Sequence, residues 1–153
     1  MVHTNENIMR FTRRKGTEKK HGNIHTEVNG RLFDSKKEAM RYKHLLTLVQ
    51  IGAIKDLECQ PTYTIQEKGT YIDPVKRQSV KKYKGSANRP ITYSPDFRYT
   101  TKTAINLPVG KLLIHLEAGE TVIEDVKGFK TDVYKIKRKM FLAKYPEYIF
   151  IES

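Results

Sequence analysis

Apolar residues recur at helical spacing in two segments of the chain. In the first segment, residues 35–50, they lie three or four positions apart, and Gly52 is placed to end the helix. The second segment covers about residues 131–144, and Pro146 follows it closely. The spacing therefore predicts one helix in each half of the chain.

Apolar, aromatic and β-branched residues predict the strands, and in the clearest segment they alternate with polar neighbours. Four segments show strand character: 54–66, 91–100, 121–127 and 148–152. Pro61 indicates an edge or a bulge in the first of them. The resulting order, helix, strand, strand, strand, helix, strand, predicts an α/β (α+β) fold with a mixed central sheet flanked by helices.

Three further segments complete the predicted organisation. Residues 1–24 lack apolar periodicity and predict a flexible basic arm. Residues 67–90 predict a basic, turn-rich insertion, and residues 101–120 an extra hairpin. Residues 25–153 are predicted to form a single domain, because a chain of this length can bury a core of its own.

Composition narrows the class of protein. No apolar run approaches the roughly 20 residues that span a membrane, so no membrane association is expected. The polar start of the chain predicts no secretory signal. With one cysteine, Cys59, the chain can form no internal disulfide, which favours an intracellular, cytoplasmic location.

The formal net charge is +12, from 29 basic and 17 acidic residues. Because the basic residues are clustered, this charge favours binding to a nucleic acid over a generally basic surface without a specific partner. The predicted DNA contacts are basic residues of the insertion, of the second helix and of the segment that leads into that helix. They are Lys76, Arg77, Lys81, Lys82, Lys84, Arg89, Lys130, Lys135 and Arg138. For the helix residues, a solvated helix face is the alternative.

Two short strings carry the candidate chemistry: Ser-Pro-Asp, which ends at Asp96, and Ile-Glu-Asp-Val-Lys-Gly at 123–128. They offer carboxylates at Asp96 and at Glu124 or Asp125, with an ammonium at Lys127. Such a group suits a hard divalent cation, which takes oxygen ligands. Alternation along the strand places Asp125 and Lys127 on one face and Glu124 on the other.

Each of these residues also has a purely structural interpretation. Asp96 could end a turn and face water, and Asp125 and Lys127 could form a simple salt bridge. Glu124 could bond a helix or a basic side chain on the opposite face. Glu38, a third candidate acid that points to the packed side of the first helix, could instead form a capping box with Ser35.

The two strings and the order of elements resemble the PD-(D/E)XK nuclease superfamily. The resemblance implies a restriction-endonuclease-like core and catalytic roles for Asp96, Asp125, Lys127 and Glu38. It also implies that Asp96, Asp125, Glu38 and the carbonyl of Val126 are ligands to Mg²⁺ or Mn²⁺.

The chain also resembles a family of small phage and prophage proteins, long described only as a domain of unknown function. The runs that carry this resemblance lie at 27–30, 33–39, 54–57 with 60–61, and 124–130, and it covers about residues 25–152. It implies a Mg²⁺-dependent endodeoxyribonuclease of phage recombination or DNA processing, encoded by a phage or prophage in a bacterial host.

Branched DNA such as Holliday junctions is among the substrates that this resemblance implies, and a homodimer would supply two symmetric cuts. The insertion at 67–90 and the hairpin at 101–120 depart from the family pattern and bear on substrate preference. The alternatives from other classes are a non-catalytic DNA-binding or regulatory module on a nuclease-like fold and a nuclease directed at RNA.

Overall fold

A computed structural model describes residues 9–11, 25–69, 71–72, 79–80 and 89–153. For 9–11, 71–72 and 79–80 the description is limited to the backbone. The predicted arm at 1–24 lies outside the described residues, except for its strand at Met9–Phe11. The predicted DNA contacts in the insertion that also lie outside them are Lys76, Arg77, Lys81, Lys82 and Lys84.

The described residues form two helices and thirteen strands. In chain order these are β1 (Met9–Phe11), β2 (Thr26–Val28), β3 (Arg31–Phe33), α1 (Lys36–Gln50), β4 (Ile54–Cys59), β5 (Tyr63–Gln66), β6 (Tyr71–Ile72), β7 (Ser79–Val80), β8 (Ile91–Tyr93), β9 (Phe97–Thr101), β10 (Ile105–Val109), β11 (Leu112–Leu116), β12 (Thr121–Asp125), α2 (Asp132–Lys144) and β13 (Ile149–Glu152). Within the described residues, no helix is long and apolar enough to cross a membrane.

A four-stranded sheet contains β13, β12, β9 and β4 in that spatial order. β12 and β13 are parallel, with Val122 opposite Ile149 and Asp125 opposite Glu152. Parallel neighbours need a crossover connection, which α2 supplies. Taken with the helices, the elements run α1, β4, β9, β12, α2, β13 along the chain. The predicted α+β class and this predicted order are therefore confirmed.

The strand pairs of the smaller sheets are antiparallel. β1, β2 and β3 form one of them, and β10 pairs with β11 within the segment predicted as a hairpin. β5 pairs with β8, and β6 pairs with β7.

Two of the predicted strands are each divided in the structure. The segment 54–66 breaks into β4 and β5 at Gln60, whose φ of 53° lies in the left-handed region. Pro61 follows and has no N–H for a sheet ladder. The segment 91–100 breaks into β8 and β9 at residues 94–96. The two breaks meet, because the N–H of Gln60 donates to the carbonyl of Asp96 at 2.8 Å.

The chain folds into two compact units, each built from two stretches. One unit comprises Met1–Leu57 with Thr100–Gly119, and the other comprises Glu58–Tyr99 with Glu120–Ser153. In the first unit, α1 buries Ala39 and Leu45, and the ring of Phe33 lies 4.9 Å from that of Tyr42.

The second unit has an aromatic core built around α2, which packs on β5 and β8. Phe141 of α2 is fully buried. Its ring centroid lies 5.1 Å from that of Tyr63, 5.2 Å from those of Tyr93 and Tyr145, and 5.9 Å from that of Phe150. Such tilted and edge-on pairs add to the stabilisation from area burial. Phe141 therefore ties the helix to strands from both parts of its unit.

We expect Phe141→Ala to lower the free energy of unfolding by about 3–5 kcal/mol, because it leaves a cavity at the centre of this cluster. Urea unfolding followed by circular dichroism measures the change. Val133→Ala on the same helix is the matched control, since Val133 is 64% exposed; we expect it to change stability by about 0.5 kcal/mol or less. Equal losses in the two variants would contradict this account of the core.

Candidate functional site

The candidate site lies where β9 and β12, which are neighbours in the central sheet, meet their connecting loops. Asp125 is the last residue of β12, Lys127 follows it by two positions, and Asp96 directly precedes β9. Val122 and Ile123 are fully buried. Burial of these apolar residues fixes β12 in the sheet and so carries the acid at its end into the interior.

The structure brings Asp96, Asp125 and Lys127 together. Nζ of Lys127 lies 2.6 Å from Oδ1 of Asp125 and 3.7 Å from Oδ2 of Asp96. The shorter contact is an ion pair. Asp125 is fully buried, whereas the side chain of Lys127 keeps 28% of its surface exposed. Solvent therefore reaches the site at Lys127.

Asp96 is held by a backbone contact that the sequence did not predict. The N–H of Val126 donates to Oδ2 of Asp96 at 2.7 Å. The turn interpretation of a water-facing Asp96 is wrong, because the residue is buried, with a relative exposure of 9%. Val126 thus contributes its N–H to the site, a role different from the carbonyl ligand that the resemblance implied.

Asp96 and Asp125 are close enough to share a proton. Burial raises the pKa of Asp96 to about 8, and its hydrogen bond with Asp125 and the charge of Asp125 act in the same direction. The charge of Lys127 and the N–H of Val126 oppose the rise. Two buried carboxylates beside one ammonium are most stable when one carboxyl is protonated. Near neutral pH the group of three side chains is then uncharged overall.

Tyr93 is a site residue that the sequence analysis missed. Its hydroxyl donates to Oδ2 of Asp125. Burial, followed by this hydrogen bond, raises the pKa of Tyr93, so the phenol stays protonated and remains a donor. The alternating pattern of its strand identified Tyr93 as a core residue only, since nothing local links it to an acid 32 positions away.

Tyr134 and Glu152 form a further group of contacts beside Lys127. Nζ of Lys127 lies 5.5 Å from the centroid of the Tyr134 ring, within the range of a cation–π contact. The Tyr134 hydroxyl donates to Oε1 of Glu152 at 2.6 Å. Glu152 also pairs with Nζ of Lys130 at 2.5 Å and with Nε of Arg138 at 3.1 Å.

The charge of Glu152 is fixed by these contacts. Burial acts to raise its pKa, but the hydrogen bonds from Lys130 and Tyr134 and the charges of Arg138 and Lys130 outweigh burial, so the pKa lies below its usual value. Glu152 stands opposite Asp125 in the parallel register of β12 and β13. The sheet itself therefore places this anion beside the site.

The predicted DNA contacts in the described residues differ in their surroundings. Lys130 and Arg138 pair with Glu152, and Lys135 pairs with Asp132 at 3.0 Å. Their side chains are still 40–60% exposed. Arg89 has no ion pair or hydrogen bond within the described part of the chain. Three of these four cations therefore already have an acidic partner.

Glu38 shows the capping arrangement. Its N–H donates to Oγ of Ser35 at 3.2 Å, and the Ser35 hydroxyl donates to Oε1 of Glu38 at 2.9 Å. The Ser35 hydroxyl thus caps the start of α1, and the carboxylate of Glu38 accepts a hydrogen bond from that hydroxyl. Glu38 belongs to the first unit, whereas Asp96, Asp125 and Lys127 belong to the second.

Glu124 lies on the face of β12 opposite to Asp125, as alternation requires. It is fully buried and accepts a hydrogen bond from the hydroxyl of Tyr99 at 3.0 Å. The structural interpretation of Glu124 offered a helix or a basic side chain as its partner, and the hydroxyl of Tyr99 is a partner that the sequence did not suggest.

The donor set fits a divalent cation with few protein ligands. In the ranges described, no three histidine, cysteine or acidic side chains gather as a metal-binding group. Mg²⁺, however, is commonly held by one or two carboxylates plus a substrate phosphate. Asp96 and Asp125 supply such a pair, and a cation there would replace the shared proton and compete with Lys127 for Oδ1 of Asp125.

The raised pKa of Asp96 predicts that stability falls as pH rises. The ordinary pKa is 3.8 and the folded value about 8, so between these values the folded protein binds more protons than the unfolded chain. In metal-free protein, we expect the free energy of unfolding to decrease across this window by up to about 1.4 kcal/mol per pH unit. Urea unfolding in a chelator at several pH values measures the slope.

Asp96→Asn should flatten this pH dependence, because an amide does not titrate. Asp132→Asn is the control, since Asp132 is an exposed acid, its side chain being 92% accessible; it should retain the wild-type slope. The same slope in wild type and Asp96→Asn would contradict the shared proton.

Comparison with known proteins gives one result. No curated protein and no solved structure matches the chain. One family model, described as "Protein of unknown function (DUF1064)", matches residues 18–151. Since this match covers most of the chain, including Asp96, Asp125 and Lys127, the protein belongs to the DUF1064 family.

Proposed function

We propose that this protein is a metal-dependent DNA endonuclease with a restriction-endonuclease-like core, which hydrolyses phosphodiester bonds with Mg²⁺ or Mn²⁺. One observation carries the proposal: Asp96 and Asp125 are buried as a pair against Lys127 at the ends of adjacent strands. The pair shares a proton in the absence of metal, and a divalent cation bound between the two acids would balance both negative charges. The resemblance to the PD-(D/E)XK superfamily rests on the same three residues.

Asp96 and Asp125 would hold the metal, and the resemblance adds the carbonyl of Val126. A bound divalent cation lowers the pKa of a coordinated water and offsets charge on the scissile phosphate. Both carboxylates are already oriented, because Tyr93 donates to Asp125 and the N–H of Val126 donates to Asp96. Ligands held in this way need little rearrangement when the cation and substrate arrive.

Lys127 is suited to act on the water or on the phosphate. Its ammonium contacts Asp125. Because 28% of its side chain is exposed, Lys127 can turn toward a substrate that arrives from solvent. The Tyr134 ring, 5.5 Å away, offers the ammonium a second favourable position once it leaves the acid. Lys127 would then position the attacking water or stabilise charge that develops on the phosphate.

DNA is the substrate that the charge of the chain favours. A net charge of +12 attracts a phosphate backbone in a salt-dependent manner. The resemblance to phage and prophage proteins extends the proposal to recombination intermediates in the cytoplasm of a bacterial host. Branched DNA such as a Holliday junction would then be cut by a homodimer with two sites.

A second candidate function has one specific observation in its favour. The contact of 2.6 Å between Lys127 and Asp125 leaves the site electrically balanced without any metal. A protein that keeps this arrangement when DNA binds would be a non-catalytic DNA-binding or regulatory module on a nuclease-like fold. Cleavage assays separate the two functions.

We expect the purified protein to cleave DNA in Mg²⁺ or Mn²⁺ and Asp125→Asn to lose roughly 100-fold or more of that activity. The amide keeps the shape of the side chain but is a poor ligand for a hard cation. Substrates should include linear, nicked, single-stranded and four-way-junction DNA, with duplex RNA as competitor.

Glu124→Gln is the matched control for this assay, because it makes the same acid-to-amide change at the adjacent buried position on the opposite face. We expect it to retain cleavage. Thermal unfolding establishes that both variants are folded. Full cleavage by folded Asp125→Asn would overturn the proposal, and DNA binding by the wild type without any metal-dependent product would favour the regulatory module.

Lys127→Met should bind Mn²⁺ more tightly than the wild type while losing cleavage. The ammonium competes with a cation for Oδ1 of Asp125, so its removal should improve affinity by roughly tenfold or more. Isothermal titration calorimetry without DNA measures this affinity. Lys135→Met, which removes a charge paired with Asp132, is the control and should leave it unchanged. Weaker Mn²⁺ binding by Lys127→Met would contradict the competition.

A further inference from the structure

A cavity of about 450 Å³ opens beside the paired strands β5 and β8. Its lining includes Gln66 and Glu67 at the end of β5, Arg89 and Ile91 at the start of β8, and Lys137 of α2. All of these residues belong to the second unit, which also holds the candidate site. No part of the mechanism proposed above uses this cavity.

Lys137 occupies an unusual position on α2. It follows Tyr134 by three residues and precedes Phe141 by four, and such positions share one face of a helix. Both aromatic rings pack against Tyr93, so this face points to the core. Lys137 is nevertheless charged and half-buried, and the described residues provide it with no ion pair or hydrogen bond. A cation left without a partner at such a position is costly.

A neighbouring cation of the same region does have a partner. Lys144 near the end of α2 donates to Oε1 of Glu67 at 3.0 Å. This contact neutralises the acid in the cavity lining. Arg89, the second cation of the lining, has no partner among the residues described. The cavity therefore combines two uncompensated positive charges with one acid that is already paired, and it favours an anionic ligand.

The remaining lining is suited to a nucleotide. Pro90 and Ile91 offer apolar surface, and Gln66 and Thr92 offer hydrogen-bonding groups. The volume lies within the range of about 300–1,000 Å³ that is typical of small-ligand sites. A space of this volume is suited to one nucleotide.

We infer that this cavity binds one unpaired nucleotide of a DNA strand, with a phosphate on Arg89 and Lys137 and the base against Pro90 and Ile91. The inference rests on the proposed function, because it identifies the kind of DNA that the candidate site would meet. It defines the substrate class as DNA that carries unpaired nucleotides close to the bond that is cut.

The same strand and the same helix connect the cavity with the candidate site. Ile91 precedes Tyr93, the hydrogen-bond partner of Asp125, by two residues, or about 7 Å along a strand. Lys137 follows Tyr134, which lies against Lys127, by three residues, or about 4.5 Å along the helix axis. A strand anchored in the cavity would therefore contact the strand and the helix that also carry the partners of Asp125 and Lys127.

Binding measured without metal tests this inference separately from cleavage. Fluorescence anisotropy in a chelator compares an intact duplex with the same duplex carrying one unpaired nucleotide. We expect the wild type to prefer the bulged DNA by roughly tenfold, and Lys137→Ala and Arg89→Ala each to lose most of that preference. The salt dependence of binding to the bulged DNA should weaken by about one ion in each variant.

Lys139→Ala is the matched control, because Lys139 is an exposed lysine of the same helix that does not line the cavity. It removes the same charge and should retain the preference for bulged DNA. Lys137→Gln keeps the length of the side chain and replaces Lys137→Ala if the alanine variant does not fold. Arg89 is exposed, so its variant provides an independent measurement.

Two results would overturn the inference. One is equal affinity of the wild type for bulged and intact duplex. The other is equal behaviour of the cavity variants and Lys139→Ala. A protein that cleaves DNA but gives either result retains the proposed function and loses only this subsite, and one that prefers bulged DNA without cleaving retains the subsite alone.

Discussion

Burial of two carboxylates beside a single ammonium is the constraint on which the second unit depends. Asp125 is removed from water completely, and its charge is balanced by Lys127 at 2.6 Å. An ion buried without compensation costs several kcal/mol. The proton shared with Asp96, the hydroxyl of Tyr93 and the N–H of Val126 each reduce that cost. The ends of β9 and β12 must therefore stay in register, because a shift of either strand would separate these partners.

The aromatic residues of the core serve this constraint as well as packing. Tyr93 and Tyr134 lie in the cluster around Phe141, and their hydroxyls bind Asp125 and Glu152. The rings thus contribute apolar burial, while their hydroxyls bind one fully buried acid, Asp125, and one largely buried acid, Glu152. Tyr93 and Tyr134 therefore belong both to the core and to the surroundings of the site. Loosening the aromatic cluster would consequently disturb the geometry of Asp125 and Lys127 even without touching an acid.

Electrostatics across this unit are less uniform than the net charge of the chain suggests. Glu152 collects Lys130 and Arg138, Asp132 pairs with Lys135, and Glu67 pairs with Lys144. These contacts reduce the positive charge that is available on much of α2. Arg89 and Lys137 are lining residues of the cavity to which the described residues give no counter-charge. The number of basic residues therefore does not show which cations of this unit have an acidic partner.

The sequence by itself determined the two helices, the order of the central elements and the pairing of Asp125 with Lys127. These features follow from periodicity and from neighbours two to four positions apart, which act through local backbone geometry. Pro61 predicted an irregularity next to Gln60, whereas tertiary structure alone decided the break before Phe97, the partner of Glu124, and the contacts of Asp125 with Tyr93 and of Asp96 with Val126. These contacts join residues 25 to 32 positions apart. These contacts depend on which strands become neighbours in the sheet. Packing of the whole unit fixes the order of the strands, and no local sequence pattern specifies it.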